Sequence, residues 1–102
     1  MKKIYVSLPM RGKDSKDIIK AQEELTYQTG LKLGEYVELI RTCWDVGDEC
    51  ASPHPLKCLG QSLECMSMAD YVIFGEGWEN ARGCKIERQC AEQYDIPILE
   101  LD

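Results

Sequence analysis

Residues 68–87 read Met-Ala-Asp-Tyr-Val-Ile-Phe-Gly-Glu-Gly-Trp-Glu-Asn-Ala-Arg-Gly-Cys-Lys-Ile-Glu, and this stretch decides the fold. The apolar run at 71–74 predicts a short buried strand, a glycine-containing turn follows it, and a helix then begins near Gly83 and carries Glu87. A strand, a glycine loop and a helix start present free backbone N–H groups and a positive helix end to an anion. We also expect Asp70 and Glu87 to lie near one carboxyl edge of a sheet, where open α/β sheets bind ligands.

The rest of the chain alternates strands and helices around that unit. The predicted elements are a strand at 3–8, a helix at 15–33, a strand at 35–42, a helix at 55–68, the strand at 71–74, a helix at 81–94 and a closing strand at 96–101. Such alternation predicts a parallel sheet with helices on both faces. We therefore expect one α/β domain over residues 1–102, a flavodoxin- or Rossmann-like three-layer sandwich with about four strands in the order 2-1-3-4.

Residues 43–55 are the least regular segment, rich in Asp, Gly, Ser and Pro, and they predict a loop. A loop of this length is more often a binding lid than a passive connector. Trp44 within it is either a lid aromatic or a hydrophobic plug.

The composition excludes several function classes. An apolar share of 44% and a charged share of 29% in 102 residues are typical of one soluble globular domain. The net charge of -6 argues against nonspecific binding to nucleic acid or to an anionic membrane. No apolar run approaches the roughly 18 residues of a membrane span, and the run after the initial methionine is too short for a signal peptide, so we expect a cytoplasmic protein.

The six cysteines form no Cys-x-x-Cys pair, and the single histidine, His54, lies between two prolines. A zinc site is therefore not expected, and without a secretory signal neither is a disulfide framework. The thiols are interpreted as buried or half-buried packing residues. Cys84 is open to a second interpretation, a reactive thiol at a helix start, although no histidine nearby in the sequence could act as its base.

Two carboxylates carry the functional hypothesis. Glu87 lies about one turn after Gly83, which removes side-chain bulk beside it, so its carboxylate would face the crevice; the alternative is an ordinary solvated glutamate. Asp70 precedes the apolar strand, and its alternative is a turn or cap carboxylate. Two such groups at one crevice suit glycosidic bond cleavage, because one can attack or stabilise the oxocarbenium-like carbon while the other handles the leaving group's proton.

Other polar residues suit the same crevice. The hydroxyl of Tyr5, on the first strand, could hold a carboxylate in position or lie in the core. Arg11 with Gly12, and Arg82 with Gly83, each combine a guanidinium fork with open backbone, which suits phosphate. One such pair alone is interpreted as a surface arginine beside a flexible turn. Two pairs at one sheet edge are a stronger indication of a phosphate site.

Three motifs occur in order along the chain: Ile-Tyr-Val-Ser-Leu-Pro-Met-Arg-Gly at 4–12, Ala-Asp-Tyr-Val-Ile-Phe at 69–74 followed by Gly-Trp, and Arg-Gly-Cys-Lys-Ile-Glu at 82–87. Together they resemble the nucleoside 2-deoxyribosyltransferase-like superfamily, and within it a branch of short bacterial and phage proteins. The resemblance implies that Glu87 is the nucleophile at the anomeric carbon. It also implies that Asp70 assists at the base or sugar and that Tyr5 orients the nucleophile.

The resemblance further implies a phosphate site for a small nucleotide. The family's loop from a serine to an Arg-Gly pair corresponds to residues 7–12, Ser-Leu-Pro-Met-Arg-Gly, and the position before the helix glycine is arginine here. The implied substrate- and phosphate-binding residues are Ser7, Pro9, Met10, Arg11, Gly12, Trp78, Arg82 and Gly83. The resemblance implies no metal or organic cofactor. It implies a homodimer or higher homo-oligomer, because relatives build their sites at dimer interfaces.

The expected function is hydrolysis or 2-deoxyribosyl transfer at the N-glycosidic bond of a (deoxy)nucleoside monophosphate or related nucleotide. Two alternatives remain open: a non-catalytic nucleotide-binding or sensor module, and a small structural oligomer with a vestigial cleft. Two positions depart from the family pattern. Leu8 stands where many relatives have glycine, and Ala81 stands where the transferases carry a second acid.

Overall fold

The computed structural model describes residues 1–9, 14–40 and 55–101, which form an α/β unit. Its elements are β1 (Lys2–Ser7), α1 (Ser15–Leu33), β2 (Val37–Leu39), α2 (Pro55–Met66), β3 (Tyr71–Phe74), a 3-10 turn (Trp78–Asn80) and α3 (Arg82–Gln93). The predicted order of strands and helices is confirmed up to α3. Trp44 with most of its predicted loop, His54, and the predicted site residues Met10, Arg11 and Gly12 lie outside the described residues.

The sheet is parallel and has three strands in the order β2-β1-β3. The fourth strand predicted at 96–101 is not formed, because Ile98 makes only an isolated parallel bridge to Val72. Val72 donates its N–H to the Pro97 carbonyl at 2.9 Å and accepts from the Leu99 N–H at 3.0 Å. Pro97 has no N–H to donate toward β3, so the ladder cannot extend in that direction.

The two faces of the sheet carry separate apolar clusters, because successive side chains of a strand point to opposite sides. One cluster packs β1 and β3 against α1, and its buried members are Ile4, Val6, Leu8, Ile18 and Ile73. The other packs the same strands against α2 and α3, and its buried members are Tyr5, Ile40, Met66, Val72 and Ala91. Helix α1 therefore covers one face, and α2 with α3 covers the other.

Gly75 allows a tight contact between the residues that follow β1 and β3. Its N–H donates to the Ser7 carbonyl at 2.9 Å, which continues the β1–β3 pairing past the end of β3. A Cβ atom on Gly75 would lie 1.9 Å from Leu8 Cδ2, so a larger residue here would have to displace the end of the buried Leu8 side chain. Leu8 therefore belongs to the packing of the α1 face.

The end of α1 explains why β2 is shorter than predicted. Gly34 ends the helix with a left-handed backbone, φ 70°, and donates to the Gly30 carbonyl at 2.8 Å. The Glu35 N–H donates to the same carbonyl at 3.2 Å, so Glu35 belongs to the helix cap rather than to a strand. Within the described ranges, no helix is long and apolar enough to cross a membrane.

Candidate functional site

Glu87 is the centre of the candidate site. It lies in the second turn of α3 and is only 6% exposed, and it is the one carboxylate among the buried residues of the described chain. Tyr5 Oη donates a hydrogen bond to Glu87 Oε2 at 2.8 Å, and Ser7 Oγ donates to Oε1. Both oxygens of one buried carboxylate are thus held by hydroxyl groups of β1.

The pattern of α3 explains why this glutamate faces inward. The buried residues of the helix are Cys84, Glu87 and Ala91, whose spacing places them on one stripe of the helix. Tyr5 and Ser7 lie two positions apart on β1, so both side chains point to the face that α3 covers. The alternative interpretation of Glu87 as an ordinary solvated glutamate is therefore wrong.

Burial sets the electrostatics of the pair. Removal from water raises the pKa of the Glu87 carboxyl above its ordinary value, while the hydrogen bonds from Ser7 and Tyr5 act in the opposite direction. Burial, and next the charge of Glu87, raise the pKa of the Tyr5 phenol well above its ordinary value. Tyr5 therefore keeps its proton at physiological pH and acts as a donor.

Glu87 retains capacity for a further partner. An ionised carboxylate offers about four lone-pair positions, and the two hydroxyl groups occupy one on each oxygen. Gly83 lies one turn before Glu87 on the same side of α3, and a Cβ atom at Gly83 would meet nothing within 4 Å. The predicted open space at this point of the helix is therefore present.

Asp70 is not part of this site, and the prediction that it shares one sheet edge with Glu87 is wrong. Its Oδ2 accepts a hydrogen bond from the Lys3 N–H at 2.7 Å, and its own N–H donates to the Lys3 carbonyl at 2.8 Å. Lys3 is near the amino end of β1, whereas Ser7 is at the carboxyl end, about 13 Å along a strand that rises ~3.3 Å per residue. Asp70 is a turn carboxylate that closes the amino end of the β1–β3 pair.

Ser7 has a contact different from the predicted one. The family resemblance implied that Ser7 helps to bind phosphate, but its hydroxyl is directed to the Glu87 carboxylate. Ser7 therefore belongs with Tyr5 as a residue that holds the carboxylate.

The loops that follow β1 and β3 lie side by side. Gly77, with φ 88°, would place a Cβ atom 3.6 Å from Pro9 Cγ, and Pro9 is half-buried. Arg82 is exposed at the first position of α3, with Gly83 next to it. The described members of the predicted phosphate set are therefore at one edge of the sheet.

Trp78 is half-buried and packs against α3. The Arg88 guanidinium carbon lies 4.5 Å from the Trp78 ring centroid and 5.3 Å from that of Phe74. Arg88 also pairs with Glu92 at 3.7 Å and with Glu100 at 3.4 Å. Arg88 was not expected from the sequence, although an arginine four positions before a glutamate on a helix is a known pairing signal.

A separate pocket of about 350 Å³ lies at the carboxyl end of β3. Its lining includes Gly75, Gly77 and Trp78, together with Leu25 and Leu101, which belong to the apolar cluster on the α1 side of the sheet. Glu87 does not line it, so the pocket and the buried carboxylate are distinct features of the same edge. In the described ranges, no three His, Cys, Asp or Glu residues are grouped to hold a metal ion.

A scan against protein-family models, a search of curated proteins and a search of solved structures each found no match to this chain. The likeness of the three motifs to a family is therefore a resemblance of sequence patterns alone. The structural basis for a function of this chain is the geometry around Glu87.

Proposed function

We propose that the protein cleaves or exchanges the N-glycosidic bond of a (deoxy)nucleoside monophosphate or a related nucleotide, with Glu87 as the nucleophile. One observation carries the proposal: both oxygens of the buried Glu87 carboxylate accept hydrogen bonds from β1, from Tyr5 Oη at 2.8 Å and from Ser7 Oγ. Burying a carboxylate costs folding free energy unless the carboxylate is well paired. Buried carboxylates of this kind are typical of functional positions.

The proposed reaction has two displacement steps. A Glu87 oxygen forms a bond to the anomeric carbon while the carbon–nitrogen bond breaks, and the base leaves with the bonding electron pair and takes a proton from solvent. Water, or a second base in a transfer reaction, then attacks the anomeric carbon and releases the carboxylate. Asp70 has no part in this scheme because it lies at the other end of the strands.

Tyr5 and Ser7 would fix the orientation of the nucleophile. A carboxylate held at both oxygens cannot rotate, so its remaining lone pairs keep a constant direction toward the incoming carbon. The same two hydrogen bonds favour the ionised form that the burial of Glu87 disfavours. The hydroxyl pair therefore supports the nucleophile in both respects.

The phosphate would bind at the start of α3. Arg82 supplies a guanidinium group, and the first N–H groups of the helix have no side-chain cap from Ala81. Arg11 and Gly12 are proposed as the second phosphate-binding pair on the strength of the family resemblance. The resemblance also supports a homo-oligomeric assembly. The isolated parallel bridge between Val72 of β3 and Ile98 supports residues 96–101 as a rudimentary fourth strand beside β3.

A base-release assay tests the proposal. Wild type, Glu87→Gln and the control Glu64→Gln, an exposed glutamate of α2, are incubated with deoxynucleoside and ribonucleoside monophosphates. Free base is then measured by chromatography. We expect release by wild type and the control, and a loss of at least ~100-fold in Glu87→Gln. Equal release by Glu87→Gln and wild type would refute Glu87 as the nucleophile.

A second candidate function is nucleotide binding without catalysis. The observation that favours it is the placement of Asp70, which leaves Glu87 as the sole buried carboxylate of the described residues. In the same assay this candidate predicts that nucleotides raise the melting temperature of both wild type and Glu87→Gln, with no base released by either. A panel in which no nucleotide shifts the melting temperature would leave only the structural-oligomer alternative.

A further inference from the structure

We propose that Arg88 is a positioning residue, which holds the Trp78 ring as a fixed stacking surface at the wall of the pocket at the carboxyl end of β3. The planar ring that stacks there is the base of the nucleotide, and this identity rests on the proposed function. The contact between Arg88 and Trp78 belongs to the protein alone, so it can be tested without a ligand.

The Trp78 ring depends on side-chain contacts for its orientation. Trp78 begins a 3-10 turn of three residues, none of which is buried, just after Gly75 and Gly77. Its ring centroid lies 5.6 Å from that of Phe74, with the two planes tilted by 53°, and 4.5 Å from the Arg88 guanidinium carbon. The Phe74 ring meets Trp78 at an angle, whereas the guanidinium lies over the ring face and limits its rotation.

The Arg88 guanidinium is itself anchored by the segment at 96–101. Its Nη1 lies 3.4 Å from Glu100 Oε1, and the Glu100 carbonyl accepts a hydrogen bond from Lys32 Nζ at 2.6 Å. The same segment is also hydrogen-bonded to β3. Because its backbone is held on two sides, Glu100 offers a carboxylate to the edge of the guanidinium while the face remains on Trp78. A planar guanidinium makes both contacts at once, whereas a lysine ammonium has no face to stack.

The chemistry of the pocket suits a flat heteroaromatic ring. Its volume is about 350 Å³, and its lining combines the Trp78 ring with aliphatic side chains and two exposed glutamates, Glu76 and Glu79. Among the described residues, that lining includes no lysine or arginine. It therefore disfavours phosphate and favours a base, which stacks on an aromatic side chain and donates from its amino groups to carboxylates. Arg88 reaches such a ligand only by way of Trp78.

The stacking surface lies beside the proposed nucleophile. Phe74, whose ring centroid is 5.3 Å from the Arg88 guanidinium carbon, pairs with Ser7 across the parallel β1–β3 ladder. Neighbouring strands are about 4.8 Å apart, and the Ser7 hydroxyl holds the Glu87 carboxylate. A nucleotide that presents its anomeric carbon to Glu87 can therefore place its base at the pocket.

Tryptophan fluorescence tests the contact in the protein without ligand. The chain has two tryptophans, so the variants are made in a Trp44→Phe parent, in which Trp78 is the only one left. Arg88→Gln and Arg88→Lys are compared with the control Lys85→Gln, which removes an exposed positive charge from the same helix. Arg88→Lys keeps the charge for Glu100, so a change in this variant reports the stack rather than the ion pair.

We expect lower anisotropy of Trp78 emission and stronger quenching by acrylamide, a neutral quencher, in both Arg88 variants. The control Lys85→Gln should match the parent. Anisotropy and quenching that are the same in Arg88→Gln and in the parent would overturn the proposal.

Titration with deoxynucleoside monophosphates separates this proposal from the proposed function. We expect these nucleotides to quench Trp78 in the parent and to bind about threefold to tenfold more weakly to Arg88→Gln, the effect of one cation–π contact. In base release, the same variant should raise KM by that factor and leave kcat nearly unchanged, because Glu87 keeps its partners. Quenching of Trp78 without base release would support the stacking surface and refute the proposed function. Equal dissociation constants for the parent and Arg88→Gln, or no response of Trp78 to any nucleotide, would overturn the positioning role, whatever the base release.

Discussion

Replacing Tyr5 with phenylalanine removes the phenolic oxygen that donates to Glu87 and leaves the ring in its cluster. The lost bond is the 2.8 Å contact to Glu87 Oε2, a carboxylate that is 6% exposed. A hydrogen bond to a charged group contributes about 1.5–3 kcal/mol to stability, whereas one between neutral groups contributes about 0.5–1.5 kcal/mol. We therefore expect Tyr5→Phe to destabilise the protein by about 1.5–3 kcal/mol where Glu87 is ionised, and by about half of that where it is protonated.

Urea denaturation at about pH 8 and about pH 4 measures both quantities, because the lower value is below the ordinary pKa of glutamate and the Glu87 pKa is raised further. The control is Tyr27→Phe, the same substitution at a site that is 67% exposed. That variant should stay within ~0.5 kcal/mol of wild type at both pH values. An equal cost of Tyr5→Phe at the two pH values, or a cost of less than ~0.5 kcal/mol at the higher one, would contradict a charge-assisted bond between Tyr5 and Glu87.

Two further predictions concern the carboxylate and the close approach of the strands. Because burial raises the pKa of Glu87, its contribution to stability is present below the ordinary glutamate pKa and is lost as the pH rises through the raised pKa. Glu87→Gln should not show this loss. Its free energy of unfolding should therefore rise relative to that of wild type as the pH increases from the ordinary glutamate pKa to the raised pKa of Glu87. A constant difference between the two proteins over this pH range would contradict the prediction. Gly75→Ala should cost about 1–3 kcal/mol, since the added methyl would meet Leu8 Cδ2 at 1.9 Å. In a double-mutant cycle with Leu8→Ala the two losses should be less than additive, and strict additivity would contradict the proposed clash.

The helix bounds were predictable because the chain marks them locally. Helix α1 runs over Ser15–Leu33 as predicted, between an extended Asp14 and a left-handed Gly34. The strand bounds were less predictable, because an alternating pattern does not show how many residues of a strand can pair with the neighbouring strand. Glu35 has a strand-like sequence context, but its N–H is already used by the end of α1. Pro97 likewise lies in an apolar run that reads as a strand and cannot complete the ladder.

The site was predictable where one element carries the signal, and not where several elements meet. The spacing of Gly83 and Glu87 on one helix indicated an inward carboxylate with open space beside it, and both features are present. The hydroxyl groups that hold it come from Tyr5 and Ser7 of β1. A hydroxyl side chain on a strand has no local pattern that names its partner, because the partner is brought near only by the packing of the layers.

The error at Asp70 has a general cause and a chemical consequence. In a parallel sheet the residues that precede a strand lie at its amino edge. Asp70 precedes β3, so the topology separates it from the loops that follow the strands. The acids that follow β3 are Glu76 and Glu79, both exposed, which leaves Glu87 without a buried carboxyl partner among the described residues. Without an acid to protonate it, a sugar alkoxide is a poor leaving group, whereas a nucleobase spreads its charge over a heteroaromatic ring. A site with one buried carboxylate therefore favours N-glycosides over O-glycosides, which is the bond class that the proposed function requires.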